Sequence, residues 1–154
     1  SQVFAEGAWR YEVDALRIEP YANAAYVHLR TDAFGETGGA AALSSAAANY
    51  DQVYTTLGVR LERPVELGSA PARLTAGLGW RHAFGDVAPD TGLAFAGSTA
   101  FNVAAAAMAR DTAVFDAGIA IDLTPSSSLS INYNGMLADG FNEQAVAARL
   151  GVQF

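Results

Sequence analysis

The sequence predicts an all-β protein, an antiparallel up-and-down meander of about seven strands built as a transmembrane outer-membrane β-barrel. Three observations carry that prediction. Apolar and polar side chains alternate with a period of two along most of the chain, the pattern of a strand with two unlike faces. The alternating runs cover about 9 to 13 residues, longer than the mode of about 5 or 6 in soluble proteins and matched to the roughly 9 to 11 of a tilted membrane strand. Apolar residues make up 51% of the 154 residues and charged ones only 16%, against roughly 25% charged in an average soluble domain. No run reaches the roughly 18 consecutive apolar residues of a spanning helix; the apolar excess is spread over alternate positions.

The elements follow in order. In the first strand Val3, Ala5, Gly7, Trp9 and Tyr11 face one way and Phe4, Glu6, Ala8, Arg10 and Glu12 the other. Residues 18–30 form a second strand of less regular phase, with Pro20 suited to a strand start. In the third, Val53, Thr55, Leu57, Val59 and Leu61 alternate with Tyr54, Thr56, Gly58, Arg60 and Glu62. Leu74, Ala76, Leu78 and Trp80 then alternate with Arg73, Thr75, Gly77, Gly79 and Arg81. Ala113, Phe115, Ala117, Ile119, Ile121 and Leu123 oppose Val114, Asp116, Gly118, Ala120 and Asp122. Leu129, Ile131, Tyr133, Gly135 and Leu137 oppose Ser130, Asn132, Asn134 and Met136. The last strand sets Val146, Ala148, Leu150, Val152 and Phe154 against Glu143, Ala145, Ala147, Arg149, Gly151 and Gln153.

The minor face separates a membrane barrel from a soluble sandwich or a lipocalin-like binding module. It is small and polar, and charges of both signs recur on it: Glu6, Arg10, Glu12, Arg60, Glu62, Arg73, Arg81, Asp116, Asp122, Glu143 and Arg149. In a sandwich these form a wet outer surface; in a membrane barrel they line the lumen while the apolar row meets lipid. Strand length favours the barrel. The links agree: those at 31–51 and 85–111 are long, while those at 13–17, 63–71, 124–128 and 138–141 are short. Outside the final hairpin, long and short links alternate. The long ones therefore gather at one end of the meander, as extracellular loops do, and the tight turns at the periplasmic end. This places Phe154 on the periplasmic side. Trp9, Tyr11, Trp80, Phe84, Phe141 and Phe154 are assigned to strand ends, as interfacial girdles.

Composition also excludes chemistries. Cysteine is absent, which removes disulfides, thiolate metal sites and a thiol nucleophile. The net charge of −7 offers no cationic surplus for a nucleic-acid partner. All basic residues are arginines. His28 and His82 lie on different strands with no convergent nucleophile or carboxylate set, so a girdle role is preferred to catalysis or metal binding. Asp116 and Asp122, on one strand, are separated by about 20 Å and cannot act as a dyad. Gly35 to Gly39 lacks the Gly-Lys-Ser/Thr ending of a phosphate loop. No catalytic residue, cofactor or metal site is expected. Glycines inside the strands are assigned equally to curvature and to lumenal room.

Several stretches resemble the translocator β-domain of type V autotransporters, the self-secreting proteins of Gram-negative bacteria. They are Ile18-Glu19-Pro20-Tyr21-Ala22-Asn23-Ala24-Ala25-Tyr26-Val27, Thr37-Gly38-Gly39-Ala40-Ala41-Ala42-Leu43 and Thr56-Leu57-Gly58-Val59-Arg60. Further on come Leu78-Gly79-Trp80-Arg81-His82-Ala83-Phe84-Gly85-Asp86, Ala109-Arg110-Asp111 and the terminal alternating strand. The resemblance covers nearly the whole chain. It implies a barrel of about twelve strands, preceded by a pore-threading helix and a secreted passenger, that secretes and displays the passenger without being an enzyme. Residues 1–154 then read as the C-terminal portion of that β-domain, its early strands lying upstream. Leu150, Val152 and Phe154 resemble the terminal signal read by the barrel-assembly machinery, by strand addition at a sheet edge. The polar residues Glu6, Arg10, Arg60, Arg73, Arg81, Asp116, Asp122, Glu143 and Arg149 are the expected lumenal set. A passenger-free, porin-like barrel is the alternative among membrane barrels. The partners implied are outer-membrane lipid, the assembly machinery, the passenger and the pore helix.

Overall fold

The computed structural model describes residues 1–85, 87–88, 90–104 and 107–153, so Phe154 lies outside the described residues. Among the described residues twelve strands form two sheets: β1 (Gln2–Ala8), β2 (Tyr11–Val13), β3 (Leu16–Thr31), β4 (Phe34–Gly35), β5 (Leu43–Ser45), β6 (Ala48–Leu67), β7 (Ala70–Phe84), β8 (Asp90–Phe95), β9 (Phe101–Ala104), β10 (Asp111–Thr124), β11 (Ser127–Ala138) and β12 (Phe141–Val152). The large sheet runs β1-β3-β6-β7-β10-β11-β12, with β2 also on β3. Every pairing in it is antiparallel. β1 and β2 behave as one strand: Ala8 pairs with Tyr21 and Tyr11 with Ile18 in unbroken register. The gap between them falls where Trp9 N–H donates to the Pro20 carbonyl. Pro20 has no N–H to return that bond. Counted in this way the large sheet has the seven-strand meander that the alternation predicts, and among the described residues its first and last strands do not pair with one another.

Three turns close one end. Val13 pairs with Leu16, Leu67 with Ala70 and Thr124 with Ser127, each leaving two residues between. Asp14 (φ 54) and Gly68 (φ 66) supply the left-handed backbone in two of them. The opposite end holds the two long links and the Ala138–Phe141 hairpin, whose Gly140 takes φ 70. The sheet is sheared. The row that ends at Leu16 on the first hairpin passes through Leu74, Ile119 and Ile131, while the later strands continue beyond it to Ala70, Thr124 and Ser127. A stagger of this kind accompanies strand tilt in barrels.

The large sheet is one layer thick. Among the described residues the buried hydrophobics are only Ala72 and Ala83, and no large side chain is fully buried. Its apolar face lies open, with Leu78 62%, Val146 71% and Leu150 64% exposed. A soluble sandwich covers such a face with a second layer; none of the described residues does so here.

The long links are more ordered than the sequence suggests. They contribute β4 and β5, and β8 and β9, to a second sheet of order β4-β5-β8-β9, joined through Leu43–Phe95, Ser44–Ala94 and Ser45–Leu93. The link after β7 also folds back on the polar face of the large sheet. Tyr54 Oη donates to Met108 Sδ at 3.3 Å, and Tyr50 Oη lies 2.8 Å from Thr91 Oγ1. Gln52, Thr56, Ala83 and Thr112 are buried on that face, at this end. Trp9 departs from its predicted place. Its row runs through Pro20, Val59, Leu78 and Phe115, in mid-sheet, because the first strand continues past it into β2.

Candidate functional site

The polar face of the large sheet carries the chain's charge chemistry, and the register shows how it is assembled. Arg10 of the first strand, Glu19 of β3, Arg60 of β6, Gly77 of β7 and Asp116 of β10 share one row across the sheet. Arg10 Nε donates to Glu19 Oε2 at 2.5 Å. Arg60 grips Glu6 through both guanidinium nitrogens, at 2.8 and 2.9 Å, and Glu19 at 3.1 Å. Glu6 lies four residues up the strand from Arg10, so the Arg60 side chain must cross the sheet diagonally. Tyr21 provides the path, since the guanidinium lies 3.9 Å above the centre of its ring.

That crossing requires glycine beneath. A Cβ on Gly58 would meet the Tyr21 ring at 2.6 Å, and one on Gly79 would meet the Tyr21 hydroxyl at 2.9 Å. At Gly77 the space is taken by the Asp116 carboxylate, and at Gly118 by Thr75 Oγ1 and Asn132 Oδ1. The strand glycines of this wall therefore make room for side chains lying flat from neighbouring strands, a use neither curvature nor a threading segment anticipates.

A second ionic chain runs closer to the turns. Arg17 bonds Glu62 at 2.8 Å and reaches Glu12 at 3.5 Å, while Arg73 lies 3.6 Å from the same Glu62. Each chain joins two arginines to two glutamates and is neutral as a unit. Arg81 takes a softer partner, Met136 Sδ at 3.7 Å. Asp116, Asp122, Glu143 and Arg149 have no ion-pair partner among the described residues. The wall is thus divided: from β1 to β7 every predicted charge but Arg81 is ion-paired, whereas those from β10 to β12 have no ion-pair partner among the described residues. A recess of about 340 Å³ at the border is lined by Arg10, Arg17, Glu19, Arg60, Glu62 and Asp116.

All nine residues predicted as one polar set share this face. The structure brings Glu6, Arg10 and Arg60 together and attaches Arg73 to the second chain. Leu150 and Val152 lie on the opposite, apolar face of β12, 64% and 59% exposed. Sequence reasoning passed over Glu19, Arg17 and Tyr21. Their signal is the odd row Arg17, Glu19, Tyr21, Asn23 of β3, which Pro20 and the alanines around it blur. No group of three His, Cys, Asp or Glu side chains is placed to hold a metal among the described residues.

A one-layer meander with an uncovered apolar face, a charged opposite face, tight turns at one end and long links at the other defines a membrane β-barrel wall of the bacterial outer-membrane class. The family profile of the autotransporter beta-domain matches residues 1–134. The chain belongs to that family, the outer-membrane translocators to which a passenger domain is joined. Two curated relatives from Serratia marcescens, each described as an extracellular serine protease, are 33% identical to the chain over 154 residues. The match takes in 99% of the chain and 15% of each relative's length.

Proposed function

We propose that residues 1–154 are the C-terminal part of a non-catalytic translocator barrel that carries an upstream passenger of the same polypeptide across the outer membrane and anchors it. The observation that supports this most is the polar wall. An unfolded chain in transit is best served by a surface that is wet yet offers few unpaired charges to bind it. The ion-paired chains from Glu6 to Arg73 make such a surface. In this reading the polar face lines the lumen, and the apolar face meets lipid. The turns at Asp14, Gly68 and Pro125 face the periplasm with the C-terminus, and further strands of the polypeptide complete the barrel. The serine-protease description of the Serratia relatives then applies to the passenger they carry. Leu150, Val152 and the terminal Phe154 of the sequence are the signal that the assembly machinery receives by strand addition.

Two experiments on cells producing the parent polypeptide test this. Removing residues 1–154 is expected to leave the passenger in the periplasm, beyond the reach of protease added to intact cells. Passenger display at the surface of such cells would overturn the translocator role. Deleting Phe154 alone is expected to lower the amount of assembled, heat-modifiable barrel in the outer membrane. Unchanged assembly would remove Phe154 from the signal.

A further inference from the structure

The two long links leave different hairpins yet are tied into one body. β5 of the first link pairs with β8 of the second. Ser44 Oγ donates to the Ala94 carbonyl at 3.2 Å, and Ala96 N–H donates to the Ala42 carbonyl at 2.9 Å. Within the second link β8 pairs with β9, and the rings of Phe95 and Phe101 stack with their centres 5.5 Å apart. Neither link can shift far without carrying the other along or parting β5 from β8.

This body is set against the polar face of the large sheet. Tyr50 and Tyr54 stand on that face of β6, in the row that continues through Thr56 and Gly58 to Arg60. The Tyr50 hydroxyl donates to the Asp90 carbonyl at 3.4 Å and lies 2.8 Å from Thr91 Oγ1. The Tyr54 hydroxyl donates to Met108 Sδ at 3.3 Å, and Met108 N–H donates to the Val87 carbonyl at 2.7 Å, so both limbs of the second link meet there. Gln52, Thr56, Ala83 and Thr112 of this end are buried, as is Ser45 of β5. Nearer the turns the same face is open, with the side chains of Arg10 and Arg73 73% and 62% exposed.

The links are held differently at their roots and on the wall. At the root of the first, Asp51 accepts from Tyr26 Oη and bonds His28 Nδ1 at 2.8 Å. At the root of the second, Asp111 accepts from the Trp80 indole at 3.0 Å and bonds His82 Nδ1 at 2.7 Å. Arg110 adds bonds to the Ala83 and Gly85 carbonyls at 3.4 and 3.3 Å. Hydrogen bonds to charged groups are the stronger kind. The bonds that tie the body to the wall are neutral, and one of them ends on a thioether, a weak acceptor. A body held in this way pivots at its roots and lets go at the two tyrosines.

We propose that the tied links form a gate over the outward mouth of the lumen, latched on the wall by Tyr50 and Tyr54 and swung off it by the passing chain. The inference rests on the polar face being the lumenal face, as in the function proposed above. Its test uses the parent polypeptide in intact cells, carrying Tyr54→Cys with Met108→Cys; residues 1–154 have no cysteine of their own. One form keeps its passenger unaltered, and the other carries in the passenger a disulfide-closed loop too bulky to leave the lumen. Bridging of the introduced pair by a short bis-maleimide is expected to be several-fold more efficient in the first form, whose gate has closed, than in the second, whose gate is propped open. Equal bridging in the two forms, strong or weak, would overturn the gate while leaving the translocator intact. Where the cysteine pair does not assemble, Tyr50→Phe with Tyr54→Phe serves, because it removes both latch hydroxyls and keeps the rings. Protease added outside the cells is expected to cut the links several-fold faster in that variant, with the heat-modifiable barrel retained. Unchanged cutting in an assembled barrel would equally overturn the latch. Surface display of the passenger after removal of residues 1–154 would count against the translocator reading instead.

Discussion

At Tyr21 a single ring settles the identity of several neighbours. It lies flat over Gly58 and Gly79, and Arg60 lies on it to reach Glu6. A side chain larger than hydrogen at position 58 must lift the ring and, with it, the guanidinium. Gly58→Val is therefore expected to destabilise the assembled barrel by about 1–3 kcal/mol, the usual cost of overpacking. Arg60→Ala leaves Glu6 and Glu19 facing each other without their common partner. Because the Arg60 side chain is 43% exposed, the loss is screened and is expected at about 1–2 kcal/mol. Arg10→Ala, at a side chain 73% exposed, is expected to be silent. Urea unfolding of the vesicle-inserted parent protein ranks the three, and an Arg10 effect as large as that of Arg60 would refute the diagonal clamp. Little of this was legible in the sequence. Alternation told which residues share a face, but partners depend on register, and register depends on turns whose closing residues alternation alone does not locate.

The strands themselves read well from the sequence because their period is local. The predicted runs fall on observed strands, except that Trp9 and Arg10 lie between β1 and β2 and the last run passes the end of β12, and the structure lengthens β3, β6, β7, β10 and β11 at both ends. What the sequence hid were the pieces held only by distant partners. β4, β5, β8 and β9 have two to six residues each and no sustained alternation, and they exist because one long link pairs with the other across about fifty residues of chain. Depth along a strand is likewise a property of the element. Ile119 stands well inside β10, five residues from Thr124 at the turn and eight from Asp111 at the far end, whereas Leu150 is two residues from the end of β12 at Val152. Ile119→Arg is therefore expected to cost about 2–4 kcal/mol, Leu150→Arg about 0–1 kcal/mol and Gln153→Arg nothing measurable. Unfolding in vesicles measures this order. Equal tolerance at all three would reverse the assignment of faces.

For the whole molecule, the decisive feature is the open sheet. Among the described residues the first strand and β12 each present an unpaired edge, and the sheet buries almost no apolar surface of its own. In hydrocarbon each unsatisfied N–H or C=O costs several kcal/mol, so a sheet with two such edges has no stable place in a bilayer. The ladder from β1 to β12 nevertheless is regular in register, with a single irregularity near Asp122, and its polar wall is already charge-paired on the β1 side. Residues 1–154 refolded alone into vesicles are therefore expected to remain protease-sensitive and to lack the heat-modifiable, fast-migrating form on unheated gels. The parent polypeptide under the same conditions is expected to show both protection and the mobility shift. If the isolated chain inserts as a heat-modifiable species, cross-linking separates the two ways its edges could be satisfied. Closure of β12 on the first strand within one chain would make the isolated domain self-sufficient, whereas closure between two chains would show that the edges demand partners from another chain.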